Sequence, residues 1–206
     1  MTAKFISIEG IEGAGKSTQL TFIERFLSEK GKDVTVTREP GGTDLGEQIR
    51  SLLLTPTSTP MAVDTELLLM FAARAEHVQQ LIKPALANNT WVISDRFTDA
   101  TFAYQGGGRG IDQQRISQLA DWTLSGLKPD LTFVFDLPVE MGQQRVLKRN
   151  QGIDRFEQEK VDFFEKIRAC YLDRAEADPK RIKVIDASQS IEDIQIQLSS
   201  ILQLLV

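Results

Sequence analysis

Gly10-Ile11-Glu12-Gly13-Ala14-Gly15-Lys16-Ser17 fits the spacing G-x-x-x-x-G-K-[ST], and it stands between an apolar run and an amphipathic one. Glycines at this spacing let successive backbone N–H groups turn toward one anion. A lysine then reaches the outer phosphates of a nucleotide, and a serine hydroxyl ligates a divalent cation. The stretch reads as a phosphate cradle, with Thr18 continuing into the helix that follows. Upstream, Phe5, Ile6 and Ile8 form a short β-prone run; downstream, Leu20, Ile23, Phe26 and Leu27 recur at helical spacing until Gly31. The positive end of that helix adds its field to the cradle.

Working outward, five short apolar runs read as strands, at 4–9, 34–37, 91–94, 131–136 and 182–186. Helical periodicity is clearest at 16–30, 65–87, 112–125, 140–149, 157–177 and 191–205, and the second of these takes Asp64 as its N-cap after the loop 55–60. Such alternation predicts an α/β fold, a five-stranded parallel sheet flanked by helices. Polar residues collect where the strands end: the cradle, then Arg38-Glu39-Pro40-Gly41-Gly42, Asp95-Arg96, Asp136, and Asp186-Ala187-Ser188. Loops at the carboxyl ends of parallel strands meet in one crevice, which is where ligands bind.

Composition narrows the field. With 206 residues, 41% hydrophobic, the chain suits one α/β domain over 1–206. A net charge of −5 gives no footprint for nucleic acid, so any polyphosphate must meet a local cluster of cations. Cys170 and His77 each stand alone, which leaves no material for a disulfide, a multi-cysteine metal site or a serine-histidine triad. The Cys170 thiol is expected to be buried or half-buried in a helix. No apolar run reaches membrane-spanning length and the chain begins on a core strand, so no membrane partner and a cytoplasmic address are expected.

Several constellations carry chemistry. Asp95 and Arg96 emerge together after Trp91-Val92-Ile93-Ser94, one suited to magnesium, directly or through water, and the other to a phosphate. Asp136 ends an equally apolar strand, and either acid can serve the metal. Arg145 and Arg149 lie four apart on one helix face, with Arg155 beyond Asp154; the stretch 142–156 reads as a cationic lid whose arginines stabilise a moving phosphoryl group while water is excluded. Phe71 or Met70 sets an apolar face beside Arg74, able to cover and read a base. Tyr104-Gln105-Gly106-Gly107-Gly108-Arg109-Gly110 is expected to form a mobile or sharply turning loop.

Taken together, the cradle, Thr37-Arg38-Glu39-Pro40-Gly41-Gly42-Thr43, Asp95-Arg96-Phe97, Ala103 to Gly110 and Asp154-Arg155-Phe156-Glu157 closely resemble bacterial thymidylate kinases, over almost the whole chain. The resemblance implies a P-loop nucleoside monophosphate kinase fold with a short lid. It also implies ATP-dependent phosphorylation of dTMP with magnesium, in a homodimer. Carried over by position, Gly10 to Thr18 with Arg145 and Arg149 hold ATP, Ser17 and Asp95 the metal, and Lys16, Arg96, Arg149 and Glu12 serve catalysis. Arg38, Phe71, Arg74, Arg96, Thr101, Tyr104 and Gln105 hold the acceptor. Phe71 is taken as the base-stacking face, with Met70 as the alternative, and Ala100 departs from a serine often found there. The cradle's variable positions include no arginine or lysine, so catalytic positive charge is expected from the lid. Two rival activities are a deoxynucleoside kinase and a nucleotide-dependent switch; no Asn-Lys-x-Asp guanine-reading motif supports the latter.

Overall fold

In the computed structural model, which describes residues 2–148 and 154–206, five strands pair in parallel. They are β1 (Phe5–Glu9), β2 (Val34–Arg38), β3 (Trp91–Asp95), β4 (Leu131–Asp136) and β5 (Ile182–Asp186), in the order β2-β3-β1-β4-β5. The sheet is the one the sequence pattern predicts. β1 is buried along its whole length, as a central strand covered on both faces must be. Its one hydroxyl is satisfied internally: Ser7 Oγ lies 2.7 Å from Thr132 Oγ1, its register partner on β4.

The helices described are α1 (Lys16–Glu29), α2 (Asp44–Leu54), α3 (Val63–His77), α4 (Lys83–Ala87), α5 (Thr98–Thr101), α6 (Gln113–Leu124), α7 (Val139–Leu147), α8 (Val161–Ala177) and α9 (Ile191–Leu202). Periodicity located α1, α6, α8 and α9 because each buries one apolar stripe, as with Ile23 and Leu27 of α1 or Leu198 and Leu202 of α9. The long pattern at 65–87 is one helical path with a change of pitch, α3 passing through a π-helical turn at Val78–Ile82 into α4. That turn buries Val78 and Ile82 against Phe5, Val92 and Phe97. Asp64 is not the cap. Ala62 holds that position and Asp64 sits in the first turn, where its charge still faces the positive helix end.

Two elements differ more from expectation. α2 is a helix where the sequence pattern assigned no element; Thr43 caps it by accepting from Gly46 N at 3.0 Å. The glycine-rich stretch expected to be a loop is instead a π-helical segment, Phe102–Gly108, continuous with α5. Its glycines serve close approach rather than mobility: a Cβ on Gly107 would come within 2.8 Å of Cys170 Cβ and 2.9 Å of Lys166 O on α8. Cys170 is buried there as expected, its thiol donating to Phe102 O at 3.3 Å. α8 starts at Val161 rather than 157, and the turns before it are held by Asp154 Oδ1, which accepts from Phe156 N and Glu157 N. Arg149, with 150–153 of the expected lid, lies outside the described residues. Among the described residues no helix is long and apolar enough to cross a membrane.

Candidate active site

The cradle follows β1 directly, and its backbone requires glycine at the turn. Gly10 has φ 138°, and a Cβ there would meet Phe135 O of β4 at 2.6 Å. Lys16 is nearly enclosed, its ammonium donating to Gly10 O and Ile11 O, each at 3.1 Å. Burial first, and then the Arg96 guanidinium, lower the Lys16 ammonium from 10.5 to about 8. Arg145 reaches over from α7 and donates to Gly13 O at 3.3 Å and to Ala187 O at 3.3 to 3.4 Å. Thus the loop after β5 and the expected lid helix both close on the cradle.

A cleft of about 630 Å³ runs from Gly13, Lys16, Ser17 and Thr18 across Asp95 and Arg96 to Arg74, Thr101 and Gln105. Arg96 stands at its middle in a left-handed conformation, φ 70°. Three bonds hold this turn: Arg96 N to Ile8 O at 2.8 Å, Ser94 Oγ to Arg96 O at 2.7 Å, and Phe97 N to the buried Glu9 Oε1 at 2.8 Å. The guanidinium donates to Glu12 Oε1 at 2.6 Å and lies 4.6 Å from the centre of the Tyr104 ring. Tyr104 OH donates to both Glu12 oxygens at 2.8 Å. Burial, with Glu12 beside it, pushes the Tyr104 phenol well above its ordinary value, so it remains a donor. Arg96 Nη1 is buried with no partner among the described residues, a donor left over.

The two strand-end acids part company. Asp95 faces the cleft beside Ser17, and its buried Oδ1 has no partner among the described residues. Asp136 is taken by Arg168 of α8 through two bonds, 2.6 Å from Nε and 2.9 Å from Nη2. Magnesium typically uses one or two carboxylates with substrate phosphates and waters, so Ser17 and Asp95 fit that ion and Asp136 does not. Among the described residues there is no cluster of three or more His, Cys, Asp or Glu that would form an all-protein cage.

At the far end Arg74, only 2% exposed, is fixed by two bonds and keeps one edge spare. Its Nε donates to Glu39 Oε2 at 2.7 Å and its Nη2 to Phe97 O at 3.1 Å, while Nη1 is buried without a partner among the described residues. Glu39 in turn is held by His77 Nδ1 at 2.9 Å, and His77 Nε2 lies 2.7 Å from Thr37 Oγ1. Thr101 Oγ1 is likewise buried and partnerless among the described residues, and Gln105 Nε2 donates to Glu66 Oε1 at 2.8 Å. Two expectations need correction. Met70 reaches the cleft wall, whereas Phe71 is buried with its ring 5.0 Å from the Arg74 guanidinium, because one residue along a helix turns a side chain by about 100°. Arg38 turns outward, 54% exposed, to Glu47 at 2.9 Å, and Arg50 of α2 takes the place on the wall.

Arg50 was missed because α2 was missed. It donates to Pro40 O at 2.9 Å, and burial, together with the charges of Arg38 and Arg96, lowers its guanidinium below the usual value. Glu39 stood inside the quoted Arg-Glu-Pro block without a role; its signal was an acid between the last residue of a strand and a proline. Ala100 also lines the cleft, and only a methyl group stands there.

A parallel sheet with a phosphate cradle after its central strand, and arginines over the neighbouring strand ends, defines a P-loop nucleotide-binding protein of the nucleoside monophosphate kinase type. The family model described as thymidylate kinase matches residues 8–198, and the chain belongs to that family. Thymidylate kinase of Ectopseudomonas mendocina (strain ymp) is 54% identical over 202 residues, 98% of this chain and 96% of that protein. Thymidylate kinase of Nitrosospira multiformis (strain ATCC 25196 / NCIMB 11849 / C 71) is 53% identical, covering 95% and 94%. The crystal structure of thymidylate kinase from Ehrlichia chaffeensis superposes with a TM-score of 0.79 at 36% identity, covering 98% of this chain and 99% of that one.

Proposed function

We propose that the cleft binds ATP and dTMP end to end and that the chain transfers the terminal phosphoryl group of ATP to dTMP, giving ADP and dTDP. The observation that carries this reading is the continuity of one cleft from the cradle to a spare guanidinium edge on Arg74. ATP lies with its phosphates along Gly10 to Thr18, where Lys16 and Arg145 converge from opposite sides. The acceptor phosphate sits against Arg96 and Arg50, and the base reaches Arg74 Nη1 and Thr101 Oγ1 beneath Met70. An acceptor phosphate oxygen attacks the γ phosphorus, the bond to the β-phosphate oxygen breaks, and ADP carries away the electron pair. Ser17 and Asp95 would hold magnesium, which neutralises charge on the donor phosphates when bound.

Catalysis by these residues is positioning and charge stabilisation. Glu12 orients Arg96 and Tyr104, so the acid in the cradle acts on the acceptor side. Arg145 supplies positive charge over the cradle, and Arg149 remains the further lid cation expected by resemblance. A deoxynucleoside kinase would phosphorylate a neutral 5′-hydroxyl and have no use for two arginines at the acceptor phosphate. A homodimer fits the exposed Leu52, Leu68 and Trp122 on α2, α3 and α6.

A coupled ADP-release assay with dTMP, dUMP, dCMP, dGMP and AMP tests the assignment. The expected result is turnover with dTMP above all others, dUMP trailing by about 10 to 200-fold in kcat/KM for the missing methyl. Comparable turnover with AMP or dGMP, or with thymidine in place of dTMP, would overturn it.

A further inference from the structure

Glu66 lies at the start of α3, only 1% exposed, and its carboxylate gathers donors from two distant segments. Oε1 accepts from Gln105 Nε2 at 2.8 Å, within the π-helical segment, and from Arg109 Nε at 3.3 Å, at its C-cap. Oε2 forms an ion pair with Arg155, its Nη1 at 2.7 Å. Arg155 is therefore no free lid cation. Its Nε also donates to Leu53 O at 2.7 Å, its backbone N to Leu54 O at 3.1 Å, and its guanidinium lies 4.5 Å from the Phe156 ring centre. These contacts draw Asp154, Phe156 and Glu157 onto the wall of the same cleft that Gln105 lines. Phe156 meets Tyr104 edge to face, with ring centres 5.8 Å apart.

We infer that Glu66 is a positioning residue that couples the acceptor pocket to the segment 154–157, by holding Gln105 and Arg155 with the two oxygens of one buried carboxylate. A buried carboxylate is tolerated only when paired, and so are the guanidiniums it pairs with. With a neutral group at 66, Arg155 would lie half-enclosed with an uncompensated charge, and its Nη2 is already buried without a partner among the described residues. Arg155 would then turn to water and carry 154–157 off the wall. The acceptor side of the cleft would lose Phe156 and Glu157, and the cradle side would keep Lys16, Ser17 and Arg145. The effect on the two substrates is thus unequal. Glu66 joins Gln105 directly to Arg155, beside the Tyr104–Phe156 contact and the Arg109–Glu159 ion pair that tie the same two segments.

The inference rests on the dTMP reading, and the test separates the two. Wild type must first turn over dTMP; failure there removes the reading itself. Glu66→Gln and Arg155→Met, singly and combined, are then compared for KM of each substrate, with thermal melting as a check on folding. Losing one charge-assisted bond should raise the dTMP KM by about tenfold or more while ATP KM changes by less than about twofold. The double variant should lose less than the sum of the two single ones, since both remove the Glu66–Arg155 contact. Equal effects on both substrates, or additive losses in the double variant, would reduce Glu66 to a structural role and sink the coupling. Should Glu66→Gln fail to fold, amide exchange in Arg155→Met decides alone. dTMP should slow exchange across 154–160 in wild type and not in the variant; slowing in both overturns the inference.

Discussion

The two ends of the cleft are made of different material. At the donor end the cradle is backbone, shaped by glycines and by carbonyls that hold Lys16. At the acceptor end side chains hold side chains: Glu39 fixes Arg74, Glu12 fixes Arg96, and Glu66 fixes Gln105. A backbone site forms when its loop forms. A side-chain site needs buried carboxylates to aim each guanidinium, and each buried charge is tolerable only while its partner stays. The donor end should therefore depend on residues that touch phosphate, and the acceptor end also on residues that touch no substrate.

The largest expected effect tests the donor half. Lys16→Ala removes one cation aimed at the outer phosphates and should lower kcat by about 10³-fold. Its thermal stability should hardly fall, because among the described residues Lys16 bonds to two carbonyls of its own loop. A variant that turns over near the wild-type rate would show that the cradle holds something other than the donor. The next effect tests the acceptor half through a residue one step removed. Glu39→Gln leaves Arg74 with a neutral partner and breaks the line from Thr37 through His77. The dTMP KM should rise about tenfold or more, with ATP KM within about twofold of wild type, in steady-state kinetics. Equal rises would erase the distinction between the halves.

The same difference explains what could be read from the sequence. The cradle, the strand ends and the amphipathic helices are local patterns, and each was legible at its own position. The acceptor pocket was legible in part, by resemblance: Arg74, Arg96, Thr101, Tyr104 and Gln105 do line the cleft, but its parts come from several segments and their partners decide the other roles. Asp95 and Asp136 look alike as acids ending apolar strands; only Arg168, 32 residues beyond Asp136 and on another helix, disqualifies the second. Met70 and Phe71 differ by one step of helix rotation, which a resemblance cannot resolve and packing does. Arg50 was hidden because α2 is short and contains Gly46, whose missing Cβ makes room for Gly41 O. The glycines at 106–108 read as a loop because close approach to α8 cannot be seen without α8.

The smallest effect is a pH dependence that should divide the two halves. Burial holds the Lys16 ammonium near about 8, so above that pH the free protein loses a proton that phosphate binding requires. ATP must then bring the proton back, and its affinity should weaken by up to about tenfold per pH unit above about 8 and stay level below. At the acceptor phosphate the Arg50 and Arg96 guanidiniums remain charged throughout, and a monophosphate is already dianionic above its second pKa of about 6. These charges give KM for dTMP no cause to move between about pH 7 and about pH 9.5 while KM for ATP climbs. A second group of the described residues is shifted toward that window: Glu9, raised from 4.5 to about 8 by burial and by Asp99, accepts from Phe97 N and from Tyr171 OH, each at 2.8 Å. Its ionisation would act on the Arg96 turn and so on dTMP. Lys16→Arg, which keeps a charge at all these pH values, separates the two. If the ATP slope survives in Lys16→Arg, Glu9 is its source and the halves are coupled through the strand they share.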